Sequence, residues 1–201
     1  MTKASDCPPE VDPALFRPNP GISNCNPAGI GFWALVAEDF RTNERDLLSQ
    51  GFWALFWHRF GNWRMGIGSR LVRAPLRVVY VLMYKICQWL GGIMLPYTVR
   101  VGRRVKLEHF GGMILVAQSI GDDVIIRQNT TFGISGLDAL KARPVIGNRV
   151  EIGAGAVIVG AVHVGDDAIV GANAVVTRHV AAGAVVGGVP ARQIRMRERA
   201  R

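Results

Sequence analysis

The sequence predicts a mainly β protein, a parallel β-helix preceded by a short α-helical part. Three observations carry this expectation. Across residues 101–186 an aliphatic residue followed by a small one, usually Gly, returns every six residues. Glycine at that interval would weaken any helix, and the every-third glycine of a collagen array is absent. Residues 30–95 lack the unit and carry aromatics at helical spacing instead. A fixed short period means stacked rungs, each too small to fold alone, that jointly bury one continuous column.

Residues 1–29 hold Pro8, Pro9, Pro13, Pro18, Pro20 and Pro27 among scattered Asn, without the charged-then-apolar order of a signal peptide. A mobile arm is expected there. Cys7, Cys25 and Cys87 are odd in number and show no metal spacing, which suits a reduced cytoplasmic setting better than a disulfide framework.

Residues 30–95 form the helical region. Helices are predicted over 39–50 and 51–63, the second bearing Phe52, Trp53, Phe56, Trp57, Phe60 and Trp63 as a stripe suited to core or subunit contact. Residues 78–95 are apolar except for Lys85 and Gln88, the minimum length of a membrane span. Lys85 near the middle and the Gly91-Gly92 pair argue against a span. A buried or interfacial helix is expected, with peripheral membrane contact as a further reading.

Residues 96–190 form the coil. Val101-Gly102, Ile120-Gly121, Ile146-Gly147, Ile152-Gly153, Val164-Gly165 and Val170-Gly171 carry the full unit; Leu107, Ile126, Phe132, Ile158, Val176 and Ala182 keep its register. The large aliphatic points inward and Gly permits the bend between flat faces. The period breaks twice. One extra residue falls just after Glu108-His109-Phe110-Gly111-Gly112, and an excess over 135–144 must leave the coil as a loop. Loops on a rigid scaffold are where binding and catalysis concentrate. His109, beside a carboxylate, a Gly pair and a broken period, is the candidate base, since histidine titrates near neutrality and can take a hydroxyl proton. His163 and His179 read as exposed decoration, and their positions within the repeat exclude a three-histidine zinc site with His109. No metal is expected.

The chain of 201 residues has a net charge of +9, part of it in a basic tail over 191–201. Such a tail can meet phosphate, anionic lipid or an acidic glycan. Nothing reads as a groove-binding element, so nucleic acid is not an expected partner.

Four stretches resemble the hexapeptide-repeat acyltransferases, and within them the serine acetyltransferase group: Glu38-Asp39 with Glu44-Arg45-Asp46; residues 51–63; Leu107-Glu108-His109 with Gly112; and Gly187-Gly188-Val189-Pro190-Ala191-Arg192. The resemblance covers about residues 35–194. It implies a left-handed parallel β-helix of triangular section, a homotrimer, and acetyl-CoA as co-substrate in the groove between neighbouring coils. His109 would be the general base, with Glu108 in place of the family's Asp. Gly133, Ile134, Ala154 and Ala172 would line the pantetheine groove, and Arg178 or Arg192 would meet a CoA phosphate. Asp46, Arg143 and Gln128 would contact the acceptor. Transfer would be direct, without an acyl-enzyme.

The chain departs from the serine enzymes in three places. Met94 stands where they hold the Asp that orients the base, Ala142-Arg143-Pro144 replaces their Arg-His-Pro, and Leu47 replaces a Pro after Asp46. These losses lead to the expectation of the same reaction on another acceptor, a sugar hydroxyl of an exopolysaccharide, capsule or lipid-linked glycan, with L-serine a poor acceptor. Serine O-acetylation and a non-catalytic β-helical scaffold are the alternatives. The expected setting is cytoplasmic, at or near the inner face of the membrane.

Overall fold

The computed structural model describes residues 11–17, 19–109, 111–134, 136 and 142–197. Three helices precede the coil. α1 (Phe32–Thr42) and α2 (Gln50–Trp63) are joined by a turn in which Glu44 and Arg45 take φ of 64° and 56°. α3 (Arg70–Gly91) carries Pro75 in its second turn, where the ring removes one i→i−4 bond, and ends on Gly92 at φ 63°. The helix expected over 39–50 is therefore misplaced. Gly31 starts α1 well upstream, and Asn43 ends it.

The coil then winds through three strands per turn. The first turn is β1 (Ile93–Met94), β2 (Arg100–Val101) and β3 (Lys106–Glu108); the second is β4 (Met113–Leu115), β5 (Ser119–Ile120) and β6 (Ile125–Arg127). The third is β7 (Thr131–Gly133), β8 (Val145–Ile146) and β9 (Glu151–Ile152); the fourth is β10 (Val157–Val159), β11 (His163–Val164) and β12 (Ile169–Val170). The fifth holds β13 (Val175–Val176), a single bridge from Val164 to Val180, and β14 (Ala184–Gly187). Corresponding strands pair in parallel and build three faces. The first aliphatic of each hexad stacks on its counterpart, as Leu107 on Ile126, Ile126 on Ile152, and Ile152 on Val170. These side chains are almost wholly buried and form one column. Ala182, expected to hold the register in the last turn, is exposed; Val180 takes the place.

Three corners join the faces. At the middle corner, between faces two and three, Arg104, Asp123, Arg149 and Asp167 all have φ of 54–61°. Their side chains pair along the stack, Arg104 with Asp123 at 2.5 Å and Arg149 with Asp167 at 2.7 Å. Asp tolerates the left-handed corner, and the alternation of Arg with Asp along the stack spares like-charge contacts.

The helical part docks through buried polar groups. Arg59 donates to Asp39 at 2.9 and 3.3 Å and to the carbonyls of Val101 and Gly102. Burial pushes the Asp39 carboxyl up, and Arg59 pulls it the other way. His58 Nε2 donates to the Val99 carbonyl at 2.9 Å. Both ends have ordered parts among the described residues. Residues 19–26 lie against the body rather than forming a mobile arm: Asn19 donates to the Thr98 carbonyl and Asn26 to that of Arg59. The described part of the basic tail is an ordered strand with exposed side chains: β15 (Arg192–Met196) folds back antiparallel on β14, and Arg197 pairs with Glu151 at 2.8 Å. Residues 1–10, most of the 135–144 loop and residues 198–201 lie outside the described residues. Among those described, no helix is long and apolar enough to cross a membrane. α3 buries only Tyr80 and Gly91, so of the expected buried or interfacial helix the buried form does not hold.

Candidate active site

The site is assembled where α1 ends. Asn43 is buried and ties that end to the coil: its amide donates to Asp39 and Val105 carbonyls at 2.8 and 3.3 Å, and its oxygen accepts from Leu107 N–H at 3.2 Å. The left-handed Glu44-Arg45 pair then reverses the chain. Asp46 accepts from Leu48 N–H at 2.8 Å, and Ser49 caps α2 by accepting from Phe52 N–H at 3.2 Å. Gly51 lets α2 lie directly on β3, since an added Cβ would sit 2.7 Å from the Leu107 carbonyl oxygen. Between this loop and the end of β3 opens a cavity of about 300 Å³, walled by Glu44, Asp46, Ser49, Lys106, Glu108 and His109.

His109 is exposed and sits at φ 63°, followed by Gly111 and Gly112 at 99° and 65°. Its backbone is thus bent outward at a corner, and the extra residue seen in the sequence is spent there. No hydrogen bond to the His109 ring is present among the described residues. Glu108 faces the same cavity but is engaged elsewhere, with Lys106 at 3.1 Å and Arg127 at 3.0 Å. Burial alone would raise its carboxyl; the two cations outweigh that and hold it below the ordinary carboxylate value. Glu44 and Glu108 in turn push the Lys106 ammonium up, Glu44 at 2.7 Å. Met94, in β1, is partly exposed and offers no polar atom to orient the ring.

The sequence-predicted residues fall into two sets. The return corner, leading from face three back to face one, carries His109, Gln128, Ala154 and Ala172 two residues past the stacked Leu107, Ile126, Ile152 and Val170. Backbone bonds continue down this corner, Asn129 N–H to the Gly111 carbonyl, Gly155 to Gln128, and Asn173 to Ala154. Arg192 closes the column, paired with Gly187 at the end of β14. Asp46 and Glu108 join the top of it through the cavity. Gly133, Ile134, Arg143 and Arg178 sit instead at the leading corner, between faces one and two. The structure does not bring them to His109 within one chain. His163 and His179, read as decoration, are half-buried and joined, the His163 N–H donating to His179 Nδ1 at 2.9 Å. Sequence reasoning missed Asn43 and Lys106. Glu44 was visible within the Glu44-Arg45-Asp46 stretch, but nothing in the local pattern marks Lys106.

Comparison with known proteins agrees with this fold. A family model described as bacterial transferase hexapeptide (six repeats) matches residues 143–178. A serine acetyltransferase of Mycobacterium tuberculosis is 36% identical over 72% of this chain and 60% of its own length. That of Synechococcus elongatus is 32% identical over 79% of this chain and 67% of its own length. A soybean serine acetyltransferase solved in complex with serine superposes with a TM-score of 0.67 at 28% identity, over 81% of this chain and 69% of that one. The chain thus spans 60% and 67% of the length of the two curated relatives. These relatives overturn the expectation of a sugar acceptor and of a role in polysaccharide biosynthesis, and with it the inference that L-serine is disfavoured. Met94 and Ala142-Arg143 do not separate the chain from enzymes named for serine. With three strands per turn around an aliphatic column, and a histidine at the corner beside the helical loop, the chain belongs to the hexapeptide-repeat acyltransferases, in the serine acetyltransferase group.

Proposed function

We propose that the protein is an acetyl-CoA-dependent serine O-acetyltransferase in which His109 is the general base. The observation that carries this reading is the cavity joining Asp46, Glu108 and His109, in a chain whose relatives are serine acetyltransferases. A serine zwitterion needs an anion for its ammonium and a cation for its carboxylate. Asp46 and the Glu44/Glu108 pair offer the first, and Arg143 the second. His109 takes the proton of the serine hydroxyl as the oxygen attacks the thioester carbonyl; the new C–O ester bond replaces the C–S bond, and the proton passes from the imidazole to the departing CoA thiolate. Acetyl-CoA supplies the activated acetyl group. Small side chains at Ala154 and Ala172 along the return corner suit its thin pantetheine arm. Arg192 lies at the corner's far end, on β15, five strand spacings or about 24 Å from His109, where it would meet a CoA phosphate.

Arg143, Gly133, Ile134 and Arg178 belong to the opposite corner of face one. A threefold assembly would set the leading corner of one coil against the return corner of the next, so the reading includes a homotrimer with the site between copies. The deciding experiment is CoA release with acetyl-CoA and L-serine. A serine-dependent specificity constant above about 10⁴ M⁻¹s⁻¹ is expected, ordinary for an enzyme on its own substrate. No serine-dependent release would overturn the reading.

A further inference from the structure

Beside and beyond its docking face, α3 presents two adjoining features that the acetyl-transfer site does not use. The first is a cavity of about 490 Å³ lined by Arg64, Arg70, Arg73, Arg77, Tyr80 and Tyr97. Arg64 is buried at 5% exposure. Its guanidinium lies over both rings, 5.0 Å from the Tyr80 centroid and 4.8 Å from that of Tyr97. Its Nε is buried without a hydrogen-bond partner. Among the described residues no carboxylate pairs with any of these four arginines, and the sequence holds no Asp or Glu between Asp46 and Glu108. Four guanidiniums around one opening, with a buried donor left over, repel one another unless an anion sits among them.

The second feature is a groove of about 380 Å³ on the next turns of the same helix, lined by Arg77, Val78, Val81, Leu82, Lys85 and Trp89. Arg77 and Val81 line both openings. Leu71, Val78, Leu82 and Trp89 fall on one stripe by helical spacing, and all four are exposed. That stripe lies opposite Tyr80, the face by which α3 docks. The helix is therefore apolar on its outermost side, with Arg70, Arg77 and Lys85 along one flank.

We propose that this face docks on an anionic phospholipid bilayer, a lipid phosphate entering the arginine cavity while the Leu71–Trp89 stripe rests at the acyl boundary. The pairing of a phosphate-sized cationic opening with an adjoining apolar groove is the chemistry of an anionic amphiphile. Charge selects lipid over a second copy of the chain. A twofold self-contact would bring this acid-free, arginine-lined patch against itself, whereas a bilayer carrying phosphatidylglycerol supplies the missing negative charge.

The test is flotation of the full chain with vesicles of phosphatidylcholine alone or with about a third phosphatidylglycerol. Binding is expected only to the second, weakening as salt rises. R70Q/R77Q, which leaves the stripe intact, should lower vesicle affinity about tenfold or more. L82S/W89S, which leaves the arginines intact, should lower it as well. All four positions are exposed, and thermal melts of both variants near that of the parent verify the fold. Bromine-labelled phosphatidylglycerol should also quench the parent more than W89F, a readout that needs no loss of binding. Failure of the parent to float with phosphatidylglycerol, or parent-like flotation by both variants, overturns the proposal. So does stabilisation by inorganic phosphate that depends on Arg70 and Arg77 without vesicle binding, which would mark a site for soluble phosphate. A mass by light scattering that falls in L82S/W89S, again without vesicle binding, would make the face an interface between copies.

Discussion

His109 stands at a bend that costs the backbone something. A non-glycine residue at positive φ is uncommon, and in the lower rungs the left-handed place one residue further along is held by Asn129, Gly155 and Asn173. The bend and the inserted residue turn the imidazole out over the cavity instead of leaving it flat on a rung. His109→Ala should therefore lower kcat by roughly two to four orders of magnitude, the usual worth of a general base, with acetyl-CoA affinity nearly unchanged. Activity within a few-fold of the parent would remove His109 from the reaction. Glu108 predicts differently. Its carboxylate is held by Lys106 and Arg127 and not by the imidazole, so it shapes the pocket's charge. Glu108→Gln should raise the KM for serine and cost kcat less than about a tenth of what His109→Ala costs. Equal losses in kcat from the two variants would return Glu108 to the base's side.

The elements differ in how they wrote themselves into the sequence. The coil is legible because its rungs are local: one aliphatic every six residues fixes what points inward, and the break after Glu108 marks the corner that carries His109. What was lost lay in long-range polar contacts, which leave no period. Asn19 and Asn26 fasten the proline-rich segment by donating to carbonyls far away in sequence. Asn43 sets the angle between α1 and β3. Neither is distinguishable in sequence from an ordinary loop residue. The acceptor was misjudged for a related reason, because absent polar residues at Met94 and Ala142 were weighed without the neighbours that surround the cavity. α2 offers a prediction of its own. His58 is fully buried with Nδ1 unpartnered. Burial, then the nearby Arg59 charge, lowers its pKa from 6.5 to about 3. The unfolded chain thus binds a proton that the folded chain refuses across that window. Stability from the neutral ring is complete above about 6.5 and falls as pH drops toward 3, by on the order of 1.4 kcal/mol per pH unit at most. His58→Gln keeps a donor for the Val99 carbonyl and removes the titration. Urea melts between those limits should show a shallower pH slope for His58→Gln than for the parent, and identical slopes would show that His58 does not titrate in this way.

For the whole molecule, the question is whether one chain suffices. The residues assigned to acetyl-CoA and serine divide between two corners of the same coil, and no single coil brings both to one groove. If the groove forms between copies, two different inactive variants should repair one another. His109→Ala disables the return corner. Gly133→Trp obstructs the leading corner, and a Cβ added at Gly133 meets nothing within 4 Å, so the substitution starts into open space and a thermal melt near the parent's verifies the fold. In a random mixture of the two, three trimers in four hold both kinds of chain. Each of those contains a single site that draws an intact His109 from one copy and an intact Gly133 from its neighbour. Co-expressed chains should therefore recover about a quarter of parental activity, with light scattering giving a trimer mass for parent and mixture alike. If the leading-corner residues instead serve the His109 of their own chain, every site in the mixture carries one defect and activity stays at the level of the separate variants. A monomer that turns over at the parental rate would end the shared-site reading outright.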